Sequence, residues 1–201
     1  MIELRVLELL CARFCHEMVS PVGAIGNGVE LLGEDDPDFV REAIALIGQS
    51  ARTASRRLQF YRFAYGTAPT ASNVTPRELL LGFLEGGKVT ADWEPAVSNL
   101  SSEWQRLACN LAVLAAEALP RGGRIAVRSA GAAGVEIEAS GEAVLLNRDV
   151  VAALAGNAKT SELTSRTIHA HVTAQFAEQL AASAGVSAGG PNRALFAASA
   201  R

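Results

Sequence analysis

Along the first third of the chain, apolar positions recur at alternating steps of three and four: Leu4, Leu7, Cys11, Phe14, Met18, Pro21, Ile25, Gly28 and Leu32. That spacing draws one apolar stripe along a helix, of the kind that packs helices at a small crossing angle. The polar run from Gly33 to Pro37 ends it, because proline cannot continue a helix without losing a backbone donor. Asp38 is the expected cap of a second helix. There Val40, Ile44, Ile47, Ala51, Ala54, Leu58, Tyr61 and Tyr65 repeat the same steps. Two long helices joined by so short a turn form an antiparallel hairpin.

A lone hairpin cannot enclose all of this apolar surface. Val6, Leu10, Val22, Val29, Leu46 and Phe60 lie beside the two stripes and are apolar as well. A second copy of the hairpin would cover them, so the expected assembly is a homodimer built on a four-helix bundle.

The pattern changes after Gly66–Val74, a stretch with linker composition. Thr75 caps a short helix with Pro76 at its first position. Lys88–Trp93 reads as a strand, Ser101–Leu119 as a helix and Arg121–Gly123 as a turn. Two alternating strands follow at Arg124–Arg128 and Val135–Ala139, then helices at Asn147–Leu154 and Ser165–Ser183. The last segment reads as a hairpin turning at Gly189–Asn192. The fold class is therefore α+β: an N-terminal antiparallel helical hairpin forming a dimeric four-helix bundle, plus a C-terminal α/β sandwich with helices on one face of a mixed sheet. The expected boundaries are 1–65 for the hairpin, 66–74 for the linker and 75–201 for the second domain.

Composition removes several function classes. The chain has 201 residues, 49% of them hydrophobic, which is ample for a core and excludes a disordered chain. Residues 1–65 carry 7 basic and 9 acidic groups and residues 66–201 carry 11 and 12, so neither part is a nucleic-acid binder. No stretch approaches the roughly 20 apolar residues of a membrane span, and Glu3 and Glu8 stand where a signal peptide would be basic. The expected localisation is cytoplasmic, with Cys11, Cys15 and Cys109 as reduced, buried thiols. Trp93 and Trp104 are assigned to the second domain's core.

The chemistry concentrates around His16. It lies two residues from Phe14 and two from Met18, which at about 100° per residue sets it opposite the apolar stripe. Glu17 follows it, then Ser20 and Pro21. A proline inside a helix costs about 3 kcal/mol. Here Pro21 deletes the bond to the Glu17 carbonyl, bending the helix about one turn beyond His16. Gly23, Gly26 and Gly28 weaken the same stretch. A single surface histidine is ordinary, but one whose helix accepts these losses points to function.

His16-Glu17-x-x-x-Pro21 resembles the phospho-acceptor box of sensor histidine kinases. The run LCARFCHEMVSPVGAIGNGVELL from Leu10 to Leu32 is more similar still to the ChpT-type histidine phosphotransferases of alphaproteobacteria. Ser50–Gly66 (SARTASRRLQFYRFAYG) and Leu107–Gly123 (LACNLAVLAAEALPRGG) extend the resemblance. That family commonly has aspartate where this chain has Glu17. The resemblance implies that the second domain is a degenerate version of the kinase ATP-binding domain. Asn110 matches a kinase asparagine, one of a pair that includes a ligand of the nucleotide's Mg²⁺, but the second of the pair is Leu114, which cannot coordinate a metal. The adenine-binding motif would fall on Ala139–Ala143, where only Gly141 survives. The phosphate loop would fall on Asn157–Thr167, which has no glycine to admit a triphosphate.

The implied activity is thus a phosphotransferase, not an autokinase. A phosphoryl group would pass from a receiver-domain aspartate to His16 and then to another receiver's aspartate, the implied partners being the receiver domain of a hybrid histidine kinase and response regulators. Such transfer is mainly positioning plus charge neutralisation. His16 acts as nucleophile through an unprotonated ring nitrogen, and Glu17 is the candidate orienting carboxylate. Mg²⁺ would belong to the receiver, so neither ATP nor another cofactor is expected in this chain. Arg13, Ser20, Asn27, Arg52 and Arg56 are candidate receiver contacts, Arg52 and Arg56 forming a basic ridge with Arg57. His169 and His171 have no ligand-spaced partners and read as structural or surface residues. The alternatives are a pseudokinase adaptor that docks receivers without carrying phosphate and, less favoured, an ATP-dependent kinase.

Overall fold

A computed structural model describes residues 3–66 and 74–201. Helices α1 (Leu4–Leu31) and α2 (Pro37–Tyr65) form the hairpin. Most of the linker, residues 67–73, lies outside the described residues. The cap of α2 is Asp36, whose carboxylate accepts from the Asp38 N–H at 2.9 Å, with Pro37 at the first helical position. Asp38, expected as the cap, instead lies in the first turn, because proline has no N–H to leave unsatisfied there.

The seam between the helices follows small residues. Pro21 and Gly28 are buried on α1, and Ala43, Ser50, Ala54 and Tyr61 on α2. A Cβ added at Gly28 would stand 2.6 Å from Ile47 Cγ1, so glycine is what lets the helices approach. The expected stripe holds on α1 from Phe14 to Gly28 but not at its ends, and on α2 every second position of the stripe from Ile44 to Leu58 is exposed. Leu4, Leu7 and Ile44 are exposed, as are Cys11, Ala51 and Leu58. At the start of α1 the buried residues are Val6 and Leu9, because the helix there packs on the second domain rather than on α2. Cys11 and Cys15 are exposed for the same reason, contrary to expectation, and only Cys109 is buried.

The second domain opens with α3 (Pro76–Leu84), on which Thr75 and Glu78 form a full capping box. Strand β1 (Val89–Trp93) is followed by a 3₁₀ turn at Pro95–Asn99 and by α4 (Ser102–Glu117). Then come β2 (Gly123–Ser129), β3 (Gly134–Ser140), α5 (Arg148–Leu154) and α6 (Ile168–Gln179). The chain closes with β4 (Ala182–Ala188) and β5 (Arg193–Ala200). The sheet order is β1-β2-β3-β5-β4, with β1 and β2 parallel and every other pair antiparallel.

Alternate residues of the strands, including Ile125, Val127, Ile137 and Phe196, are buried. Helix α4 packs on β2, β3 and β5, and α6 packs on β4. Helix α6 is shorter than Ser165–Ser183: it ends at Gln179, Ala181 just beyond it adopts a positive φ of 52°, and Ser183 belongs to β4. Trp104 is buried, while Trp93 is half-buried with its indole N–H donating to Ser98 at 2.9 Å.

One apolar core joins the two parts. Val6 and Leu9 of α1 and Phe60, Tyr61, Phe63 and Ala64 of α2 cluster with Leu107, Leu111 and Phe196. The hairpin is thereby seated on the second domain by burial as well as by the chain.

Candidate active site

His16 is exposed on α1 and opens onto a groove of about 1030 Å³ between that helix and the second domain. Leu114, Leu146, Val150 and Arg166 line the far side. Helical geometry puts Arg13 and Glu17 on the inner flank of the histidine. Both are held by side chains from other elements. The Arg13 guanidinium pairs with Glu117 at the end of α4. Burial works against the Arg13 charge, but Glu117 outweighs it, and the guanidinium holds its proton above the ordinary value.

Glu17 is turned into the hairpin. Arg57 Nη1 donates to the Glu17 carbonyl at 2.6 Å and to its Oε2 at 3.0 Å. That carbonyl is the one Pro21 leaves without a helical donor, and the arginine takes the place of the missing N–H. The carboxylate expected to orient His16 thus has its partner on α2. Ser20, Asn27 and Arg52 are exposed, and Arg56 pairs with Glu85 at 2.7 Å. Arg57, read from the sequence only as part of a basic ridge, is the residue that sequence reasoning undervalued. The signal was Pro21 itself, since the register that sets Phe14 against Tyr61 puts Arg57 opposite Glu17.

Asn110 is fully buried and faces the end of α2. Its Nδ2 donates to the carbonyls of Ala64 at 3.3 Å and Arg106 at 2.9 Å. Arg106 donates to the Gly66 carbonyl at 3.0 Å. His169, also fully buried, places Nε2 3.0 Å from the Asn110 carbonyl, which can only accept. Nε2 therefore carries the proton, and Nδ1 accepts from the Tyr65 hydroxyl. Burial, reinforced by the Arg13 charge, lowers the His169 pKa to about 3. Burial raises the Tyr65 hydroxyl, with the nearby Arg13 opposing it. Asn110 is thus a fastener between the two parts of the molecule. Among the described residues, no three His, Cys, Asp or Glu side chains are grouped to hold a metal.

A helical hairpin with an outward histidine, seated on an α/β domain, defines a class of protein. The family model of the histidine phosphotransferase C-terminal domain matches residues 75–192, and the chain belongs to that family. The protein phosphotransferase ChpT of Brucella abortus (strain 2308) is 42% identical over 127 residues. That match takes in 61% of this chain and 60% of the relative, so it spans less than two thirds of the curated protein. A solved structure of a bacterial phosphotransferase superposes with a TM-score of 0.78 at 29% identity, covering 98% of this chain and 97% of its own. The α+β architecture read from the sequence is thus shared along almost the whole length, and the ChpT-type resemblance holds.

Proposed function

We propose that this chain relays a phosphoryl group between receiver-domain aspartates through His16, without using ATP. The carrying observation is the placement of His16, solvent-open on α1 at the edge of a groove of about 1030 Å³. A ring nitrogen lone pair attacks the phosphorus of the donor's aspartyl phosphate. The P–N bond forms as the P–O bond breaks, and the aspartate leaves as a carboxylate. The second transfer reverses these events on another receiver. Mg²⁺ would sit on the receiver in both steps. The donor would be the receiver of a hybrid histidine kinase, the acceptor a response regulator, and residues 1–65 the transferring domain.

Two residues support independence from ATP. Asn110 is sealed in the core against the end of α2, and Leu114, the other position of the pair, has no group that could hold a metal. Of the candidate receiver contacts, Ser20, Asn27 and Arg52 remain open to a partner, whereas Arg13 and Arg56 are engaged within the chain.

The test is transfer of ³²P from an aspartate-phosphorylated receiver domain to the protein. Acid-labile, base-stable label should appear, and His16→Ala should abolish it. Label that persists in His16→Ala overturns the acceptor assignment, and receiver binding without any label favours the adaptor reading. Labelling from ATP alone would revive the kinase.

A further inference from the structure

We propose that Arg57 is a positioning residue for phosphoryl transfer at His16, acting through Glu17. The inference rests on the acceptor reading of His16 and adds to it a residue from the opposite helix. Arg57 Nη1 carries two hydrogens, and both are spent on Glu17, one on its carbonyl at 2.6 Å and one on its carboxylate at 3.0 Å. The first bond satisfies the acceptor that Pro21 orphans, fixing the backbone next to the histidine. The second binds the charge of Glu17 and turns it toward α2.

That charge matters because of what arrives at His16. An aspartyl phosphate is anionic, and the phosphohistidine it forms carries about two negative charges at neutral pH. An unpaired carboxylate on the neighbouring residue would repel both. Arg57 is half-buried between the helices, where screening by solvent is weaker than at the open surface. The other charge flanking His16, Arg13, is likewise paired, with Glu117. The histidine thus stands beside two side chains whose charges are already answered from α2 and from α4. Arg57 takes no part in bond making; no proton or phosphoryl group passes through it.

The distinguishing chemistry is that the cost of losing Arg57 should disappear when Glu17 loses its charge. Single-turnover transfer from the same phosphorylated receiver is measured for wild type, Arg57→Met, Glu17→Gln/Arg57→Met, Pro21→Ala and Pro21→Ala/Arg57→Met. Arg57→Met should slow transfer at saturating receiver at least tenfold, with the half-saturating receiver concentration changed less than threefold. On a Glu17→Gln background, measured alongside, adding Arg57→Met should slow transfer by less than threefold. Pro21→Ala/Arg57→Met regains the helical donor to the Glu17 carbonyl, which guards against simple unfolding. It should still transfer at least fivefold more slowly than Pro21→Ala. A rate for Arg57→Met within twofold of wild type overturns the proposal. So does a Glu17→Gln/Arg57→Met variant at least tenfold slower than Glu17→Gln, or a Pro21→Ala/Arg57→Met variant as fast as Pro21→Ala. His16→Ala is run alongside: its labelling would sink the acceptor reading itself, whereas normal His16-dependent labelling of Arg57→Met sinks only the role of Arg57.

Discussion

At the scale of single residues, the same side-chain types do opposite jobs according to what surrounds them. His16 is open to solvent, while His169 is sealed between Tyr65 and the Asn110 carbonyl, its pKa lowered to about 3 by burial. In the unfolded chain the His169 imidazole protonates near 6.5. Between those two values the unfolded state binds the extra proton, so folding stability is fully present above about pH 6.5 and declines as the pH falls. The decline approaches about 1.4 kcal/mol per pH unit for one such group. Thermal melts at pH 7.5, 6.5 and 5.5 should show this drop, and His169→Gln should flatten it. An equally steep drop in His169→Gln would assign the effect to other groups.

Sequence alone reached the two helices of the hairpin and the α+β class, because periodicity and turn residues record local structure. It could not place Asn110 against Ala64 or Arg57 against Glu17. Those pairings join residues 46 and 40 positions apart and depend on how the elements dock.

At the scale of elements, α1 carries three glycines with unequal duties. A Cβ on Gly28 would collide with Ile47 Cγ1 at 2.6 Å, whereas one on Gly23 meets nothing within 4 Å. Gly28→Ala should destabilise the protein by about 1–3 kcal/mol through overpacking at the seam. Gly23→Ala should stabilise it by about 0.5–1 kcal/mol by stiffening the unfolded chain. Urea titration of both variants checks the pair, and a Gly28→Ala midpoint at or above that of wild type would contradict the packing argument. The periodicity that located both hairpin helices could not separate these glycines, since a helical pattern records spacing and not which side a neighbour occupies. The same limit explains Leu4 and Leu7. Their spacing fits the stripe, yet the second domain draws Val6 and Leu9 inward instead.

At the scale of the whole molecule, the hairpin keeps an apolar face after both the seam and the second domain have taken their share. Val22, Val29, Ile44 and Leu58 are 54%, 54%, 59% and 45% exposed, and Ile25, Ala51 and Leu58 border a shallow groove between the helices. Contiguous apolar surface of this kind is what a second copy would bury, and we propose that a homodimer does so. Sedimentation at micromolar concentration should give the dimer mass, with Ile44→Glu/Leu58→Glu shifting it toward the monomer; a monomeric wild type would overturn the assembly. Among the described residues, no helix is long and apolar enough to cross a membrane.

The grip that Arg106, Asn110 and His169 keep on the last turn of α2 also settles what aligns the histidine with the groove. The carbonyls of Ala64 and Gly66 are held on one side of the linker, and the Thr75 capping box anchors the chain on the other. Alignment is therefore set by how the hairpin docks on the second domain. Arg106, Asn110 and His169, far from any bond that is made or broken, are accordingly where drift would be felt at His16.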